Sequence, residues 1–136
     1  GPCYEQLKSA VEGDFHFECL GYRSDIYQLL QECDYMMLFS EHEGLPITLI
    51  EATMIGCPVV CNDVGGNAEI VFDGENGFVL EKDDWDGLVK KLNSLEMISK
   101  AQYTSMVESS RMIYKNKFTF DKFQKEYCEL LDSVGK

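Results

Sequence analysis

The chain has 136 residues, of which 45% are hydrophobic and 12% aromatic, and a formal net charge of −12. That length fits one domain, and that apolar content builds a core rather than a disordered tract. The charge repels polyanions and argues against DNA, RNA or an anionic membrane as the main partner. A small phosphorylated ligand remains compatible, because screening over about 8 Å lets a local cluster of amide dipoles outweigh the global field. No run approaches the roughly 18 apolar residues of a membrane span, and no basic start with an apolar middle marks a signal peptide. The expectation is a soluble intracellular protein.

Taken in chain order, "CYEQLKSAVEG" reads as a helix ending on Gly13. "FHFECL" (15–20) is an apolar run of strand length. "SDIYQLLQEC" reads as a helix opened by Ser24 as its cap. "YMMLFS" (35–40) is a second strand. "PITLIEATMIG" has Pro46 near its first helical position and Gly56 just past its end, as helix boundaries prefer. "PVVCN" (58–62) is a third strand, a short helix "NAEIV" follows Gly65-Gly66, and "GFVLE" (77–81) is a fourth strand. Strands alternating with helices predict parallel pairing through crossovers, and nearly continuous apolar runs predict a sheet covered on both faces. The fold class is therefore α/β, a Rossmann-like parallel sheet with helices on both faces.

After Glu81 the strands stop. "DDWDGLVKKLNSLEMIS", "KAQYTSMVESSRMIYKN" and "TFDKFQKEYCELLDSV" read as three C-terminal helices, with starts at Asp83 or Asp84 and at Asp121 after Thr119. Phe118, Phe120, Phe123 and Tyr127 form an aromatic stripe expected to pin the last helix to the domain. The six cysteines include no CxxC pair, and their apolar surroundings suggest reduced, buried thiols. With two histidines in the chain, a zinc site has little support, and no metal site is expected.

The segment "SEHEGLPITLIEATMIGCPVVCN" carries the chemistry. Glu43 and Glu51 stand with seven residues between them. Pro46 lacks an N–H and suits a first turn, which leaves the amides of Ile47, Thr48 and Leu49 without intrahelical partners. A helix N-terminus after a strand end is an anion site, and Gly44 keeps the backbone bare for close approach. Glu51 lies roughly 7.5 Å up the axis from Pro46 and leans back toward that end, over Thr48. Its other neighbours are apolar nearly all round, which predicts a buried helix and a carboxylate in need of partners. Ligand hydroxyls would supply them. So would a lysine in a structural salt bridge, and Glu43 has its own plain alternative as a surface residue favoured by the helix dipole. His42 reads as an exposed loop histidine, and Gly65-Gly66 either as part of the site or as a turn before a helix.

An ordered series of residues carries a resemblance. Ser40, Glu43-Gly44-Leu45-Pro46, Glu51-Ala52 and Gly56-Cys57-Pro58-Val59-Val60 are followed by Gly65-Gly66 with Glu69, Asp73-Gly74 and Gly77. Over residues 15–95 at least, the chain resembles the family 4 retaining glycosyltransferases, the glycosyl transferases group 1 set, whose fold is called GT-B. The glutamate pair matches that family's E-x7-E signature. The resemblance implies the C-terminal, donor-binding domain, with residues 1–136 forming a single nucleotide-sugar-binding unit truncated at its N-terminus.

It also implies roles. Glu43 is the catalytic carboxylate that holds sugar hydroxyls of the donor, Gly44, Leu45, Pro46, Ile47, Thr48 and Leu49 hold the diphosphate, and Glu51 binds the ribose. Tyr22 and Arg23, in "GYRSD", lie near the nucleobase, with ordinary loop roles as their alternative. The substrate is a nucleotide-sugar such as a UDP- or GDP-sugar, and neither metal nor other cofactor is needed, because protein dipoles and basic side chains stabilise the leaving diphosphate. The acceptor is a glycan or lipid-linked sugar in polysaccharide biosynthesis.

A strand order 3-2-1-4-5-6 would lack its first two strands here, and the acceptor domain is absent with them. Alone, the chain is then expected to be inactive, and to rearrange, self-associate or rely on segments outside it. The full enzyme is expected to be cytoplasmic, or peripheral to the inner face of the membrane through its other parts. Two other readings stand beside this one. They are another GT-B enzyme such as a sugar-nucleotide epimerase, and a non-catalytic α/β binding or signalling module.

Overall fold

The computed structural model describes residues 3–134. Three parallel strands form one sheet in chain order: β1 (Met36–Leu38), β2 (Val59–Asn62) and β3 (Gly77–Leu80). β1 pairs with β2 from Met36↔Val59 to Leu38↔Cys61, and β2 with β3 from Val59↔Gly77 to Asn62↔Leu80. Each crossover carries a helix, α3 (Ile47–Ile55) in the first and α4 (Asn67–Ile70) in the second. Before the sheet lie α1 (Tyr4–Ala10) and α2 (Ile26–Glu32). After it come α5 (Trp85–Leu95), α6 (Lys100–Ile113) and α7 (Phe120–Val134), with one π-helical turn at Tyr114–Phe118 joining the last two.

The central strand divides its side chains between two cores, as a pleat of period two requires. Val59 and Cys61 join Leu30, Leu49, Ala52, Ile70 and Val71 on one face, beneath α2, α3 and α4. Val60 joins Phe78, Leu88 and Met106 on the other, beneath α5 and α6. All four residues of β2 are buried. Helices therefore cover both faces of a parallel sheet, as the apolar runs predict.

Four expectations are corrected. The run 15–20 is not a strand. It lies outside the sheet, and Phe15 is 90% and Phe17 60% exposed. A strand exists by its ladder, and among the described residues nothing pairs with this one. The cap of α2 is Asp25 rather than Ser24, and Asp25 gives no side-chain bond to its helix because Arg23 Nε donates to it at 2.7 Å.

The aromatic stripe does not pin α7. Phe118 packs on the core, but Phe120, Phe123 and Tyr127 are exposed and pack on one another, and α7 buries no residue. The helix is amphipathic, so its pattern is right, but its apolar face stays largely exposed, with Phe120 and Phe123 reaching only the edge of a cavity shared with α3. The cysteines are all free, but only Cys57 and Cys61 are buried, whereas Cys3, Cys33 and Cys128 are exposed.

Elsewhere local chemistry sets the boundaries as expected. α3 ends on Gly56 at φ 89°, a left-handed position that a side chain resists, and its amide bonds the carbonyls of Ala52 and Thr53. Asp84 caps α5 by accepting from the Gly87 amide at 2.8 Å. Ser99 and Gln102 form a reciprocal capping box on α6.

Candidate functional site

The site lies where β1 ends and α3 begins. Pro46 takes the N-cap position in an extended conformation and is buried. The Leu49 amide donates to the Pro46 carbonyl at 3.1 Å, so it is not free as expected. The first turn closes tightly and captures it. The amides of Ile47 and Thr48 make no hydrogen bond among the described residues. These two donors stand free at the positive end of a nine-residue helix, an arrangement suited to an anion.

Glu51 is half-buried, not buried. α3 sinks Leu49, Ala52 and Thr53 into the core but leaves Ile47 70% exposed. Glu51 thus stands on a flank that opens into a cavity of about 560 Å³, shared with Tyr27, Leu45, Ile47, Ile50, Met54, Tyr114, Lys117 and Phe118 and, from α7, with Phe120, Phe123 and Glu126. Among the described residues it has neither hydrogen bond nor salt bridge, so the structural-salt-bridge alternative finds no lysine. A carboxylate there keeps all its acceptor sites for a ligand. Lys117 reaches the same cavity from the π turn, with its ammonium 4.4 Å from the Phe72 ring centroid.

Glu43 does not line that cavity. It sits in the loop between β1 and α3, half-buried, where Ser40 Oγ donates to its Oε1 at 2.7 Å. Ser40 is itself held by Asn62. The Ser40 amide donates to Asn62 Oδ1 at 3.1 Å, and Asn62 Nδ2 donates to the Ser40 carbonyl at 2.7 Å.

The same loop rests on Gly65-Gly66. The Gly66 amide donates to the Gly44 carbonyl at 2.6 Å. A Cβ at Gly65, which has φ 54°, would overlap the Glu43 carbonyl, and one at Gly66 would lie 2.8 Å from the Gly44 carbonyl oxygen. These glycines are therefore more than a turn before α4, since they let two backbone segments touch. Gly44 has open space where a side chain would go, so the chain itself does not require a glycine there.

Tyr22 and Arg23 lie elsewhere. Tyr22 is 95% exposed and faces a separate cavity of about 880 Å³ with Tyr4, Glu5, Leu7, Glu18 and Leu20. Arg23 is tied to Asp25 by its Nε and by a second guanidinium nitrogen, which holds the Asp25 carboxyl below its usual range. The structure thus brings Gly44, Leu45, Pro46, Ile47, Thr48 and Leu49 together with Glu43 at one end and Glu51 at the other, and sets Tyr22 and Arg23 apart. Sequence reading missed Asn62, Tyr27 and Lys117. None has a local motif, and only the tertiary arrangement places them.

A parallel sheet with helices on both faces and a helix N-terminus at a strand's carboxyl end is the arrangement in which α/β domains hold their ligands. The family model for glycosyl transferases group 1 matches residues 3–116, and the chain belongs to that family. It is 29% identical over 140 residues to the uncharacterized glycosyltransferase MJ1178 of Methanocaldococcus jannaschii, a match covering 97% of this chain and 39% of that one. It is 34% identical over 96 residues to an Escherichia coli UDP-Gal:alpha-D-GlcNAc-diphosphoundecaprenol alpha-1,3-galactosyltransferase, covering 68% of this chain and 25% of the relative.

In structure it is similar to Anabaena Alr3699/HepE in complex with UDP-glucose, with a TM-score of 0.81, 25% identity, and coverage of 95% of this chain and 35% of that one. The fold is that of a GT-B glycosyltransferase domain, and the chain spans between about a quarter and two-fifths of the length of these relatives. Among the described residues, no helix is long and apolar enough to cross a membrane.

Proposed function

We propose that this chain is the donor-binding region of a retaining glycosyltransferase that moves a hexose or related sugar from a UDP- or GDP-sugar to a glycan or lipid-linked acceptor. The observation that carries the reading is the free N-terminus of α3, with the unpartnered Ile47 and Thr48 amides set between Glu43, which is held, and Glu51, which is not. The diphosphate lies on those amides, where the helix dipole stabilises charge that grows as the sugar leaves. Glu51 takes the ribose hydroxyls. Glu43 takes hydroxyls of the donor sugar and fixes its reacting carbon against the acceptor. No metal is required, since amide dipoles and basic side chains supply the stabilisation.

The acceptor side comes from a further domain of the same enzyme, so the 136 residues alone bind nucleotide weakly and transfer nothing. The setting is cytoplasmic polysaccharide assembly, with any membrane association made through other parts of the enzyme. Support comes from the names of relatives such as the Vi polysaccharide biosynthesis protein of Salmonella typhi, 44% identical over 62 residues. The test is a titration with UDP, GDP and their sugar derivatives followed by backbone amide NMR. Shifts clustered at residues 44–51 are expected. Binding that leaves those amides unmoved, or sugar transfer by the chain alone, would sink the reading.

A further inference from the structure

We propose that Asn62 is a positioning residue that orients Glu43 toward the donor sugar. This rests on the role given to Glu43 above. Asn62 is the last residue of β2, only 3% exposed, one step beyond the final β1–β2 pair at Leu38↔Cys61. Its carboxamide accepts from the amide of Ser40 and donates to the carbonyl of Ser40. The side chain thus imitates a further rung of the ladder and carries β1's exit path past the point where backbone pairing stops. A primary carboxamide presents a donor and an acceptor side by side, as this task needs.

Asn62 is anchored from behind, because Asn67 Nδ2 donates to its carbonyl at 2.9 Å. The grip then passes outward. Ser40, fixed at both backbone groups, aims its hydroxyl at Glu43 Oε1. With one carboxylate oxygen committed, the other keeps a set direction, and a sugar hydroxyl meets a prearranged acceptor. The α3 amides that hold the diphosphate take no part in this chain of bonds. Loosening Asn62 should therefore cost affinity for the sugar and not for the nucleotide.

The test measures dissociation constants by calorimetry on the whole protein that carries this chain. UDP, GDP, UDP-glucose and GDP-mannose are the probes, and the readout is the affinity of the sugar nucleotide relative to its nucleoside diphosphate. Asn62→Asp keeps the shape and loses the donor. It is expected to lower that ratio about tenfold with the diphosphate constant within about twofold of wild type. Ser40→Ala, which leaves the Asn62 clamp on the backbone intact, is expected to shift the ratio the same way should Asn62→Asp fold poorly. Adding either change to Glu43→Gln is expected to lower the ratio no further, since residues acting through one carboxylate are not additive.

If Glu43→Gln lowers the ratio and a folded Asn62→Asp does not, whatever Ser40→Ala does, the inference about Asn62 is wrong and the role of Glu43 stands. Equal weakening of diphosphate and sugar nucleotide by Asn62→Asp would mean a structural role only, which also overturns it. If Glu43→Gln leaves the ratio unchanged, or no probe binds, the functional reading itself fails and takes this inference with it.

Discussion

Residues 36–80 and the two flanks all carry many apolar residues, yet they differ in what those residues touch. In the centre, Leu49, Ala52, Val59, Val60, Cys61 and Ile70 are completely buried. In the flanks, α1 and α7 bury nothing, and Phe15, Phe17, Phe120 and Phe123 face outward. Burial at about 25 cal/mol per Å² is the main stabilising term, so the centre, with Leu30, Leu88 and Met106 of the helices that cover it, carries the stability, and α1 and α7 contribute little. The site inherits that division. Glu43, the α3 amides and Glu51 all stand on the rigid part, whereas Tyr22 and Arg23 stand on the part with little to hold it.

Leu49→Ala should break the contrast most, by opening a cavity on the inner face of α3 and costing about 2–5 kcal/mol in denaturant unfolding. Raising the pH acts on the same core. Burial pushes the Cys57 thiol up to about 11 and the Cys61 thiol up to about 12, from an ordinary 9.0. The folded state keeps protons that the unfolded state gives up, so the contribution is fully present below pH 9 and is lost as pH rises through 11 to 12. Unfolding midpoints measured from pH 8 to 11 should fall across that range, with Cys3, Cys33 and Cys128 modified by a thiol reagent well before Cys57 and Cys61.

Gly65→Ala, strained at positive φ and pressed on the Glu43 carbonyl, should cost about 1–3 kcal/mol and move the amide signals of residues 43–45. Ser99→Ala removes half of a capping box and should cost about 1 kcal/mol. Phe123→Ser should sharpen the contrast by doing almost nothing, within about 0.5 kcal/mol, in the 136-residue chain. A larger loss there would show that α7 has a partner surface after all.

The same contrast explains what was legible in the sequence. Pro46, Gly56 and the apolar run between them fix α3 by local rules, and the three strands that find partners read correctly. The run 15–20 has the pattern of a strand without a neighbour to bond, and no local pattern reports whether a neighbour exists. Likewise the stripe Phe120, Phe123, Tyr127 declares a face but not what covers it. The apolar surroundings of Glu51 predict a buried carboxylate, but α3 shows one flank, with Ile47, to solvent. Asn62 and Gly65-Gly66 were opaque for a different reason. Their importance lies in touching Ser40, Glu43 and Gly44 from another crossover, and a contact between distant segments leaves no mark on spacing.

The order β1-β2-β3 in space is also their order along the chain, with only residues 39–58 and 63–76 between successive partners. Every strand pairing of the sheet can therefore close once residue 80 has been synthesised, over short loops and at little entropic cost. The candidate site at 43–51 lies inside the first of those loops. During synthesis it is expected to take shape while α6 and α7 are still unmade, so that the pocket's floor is assembled first and its surroundings are fitted to it afterwards.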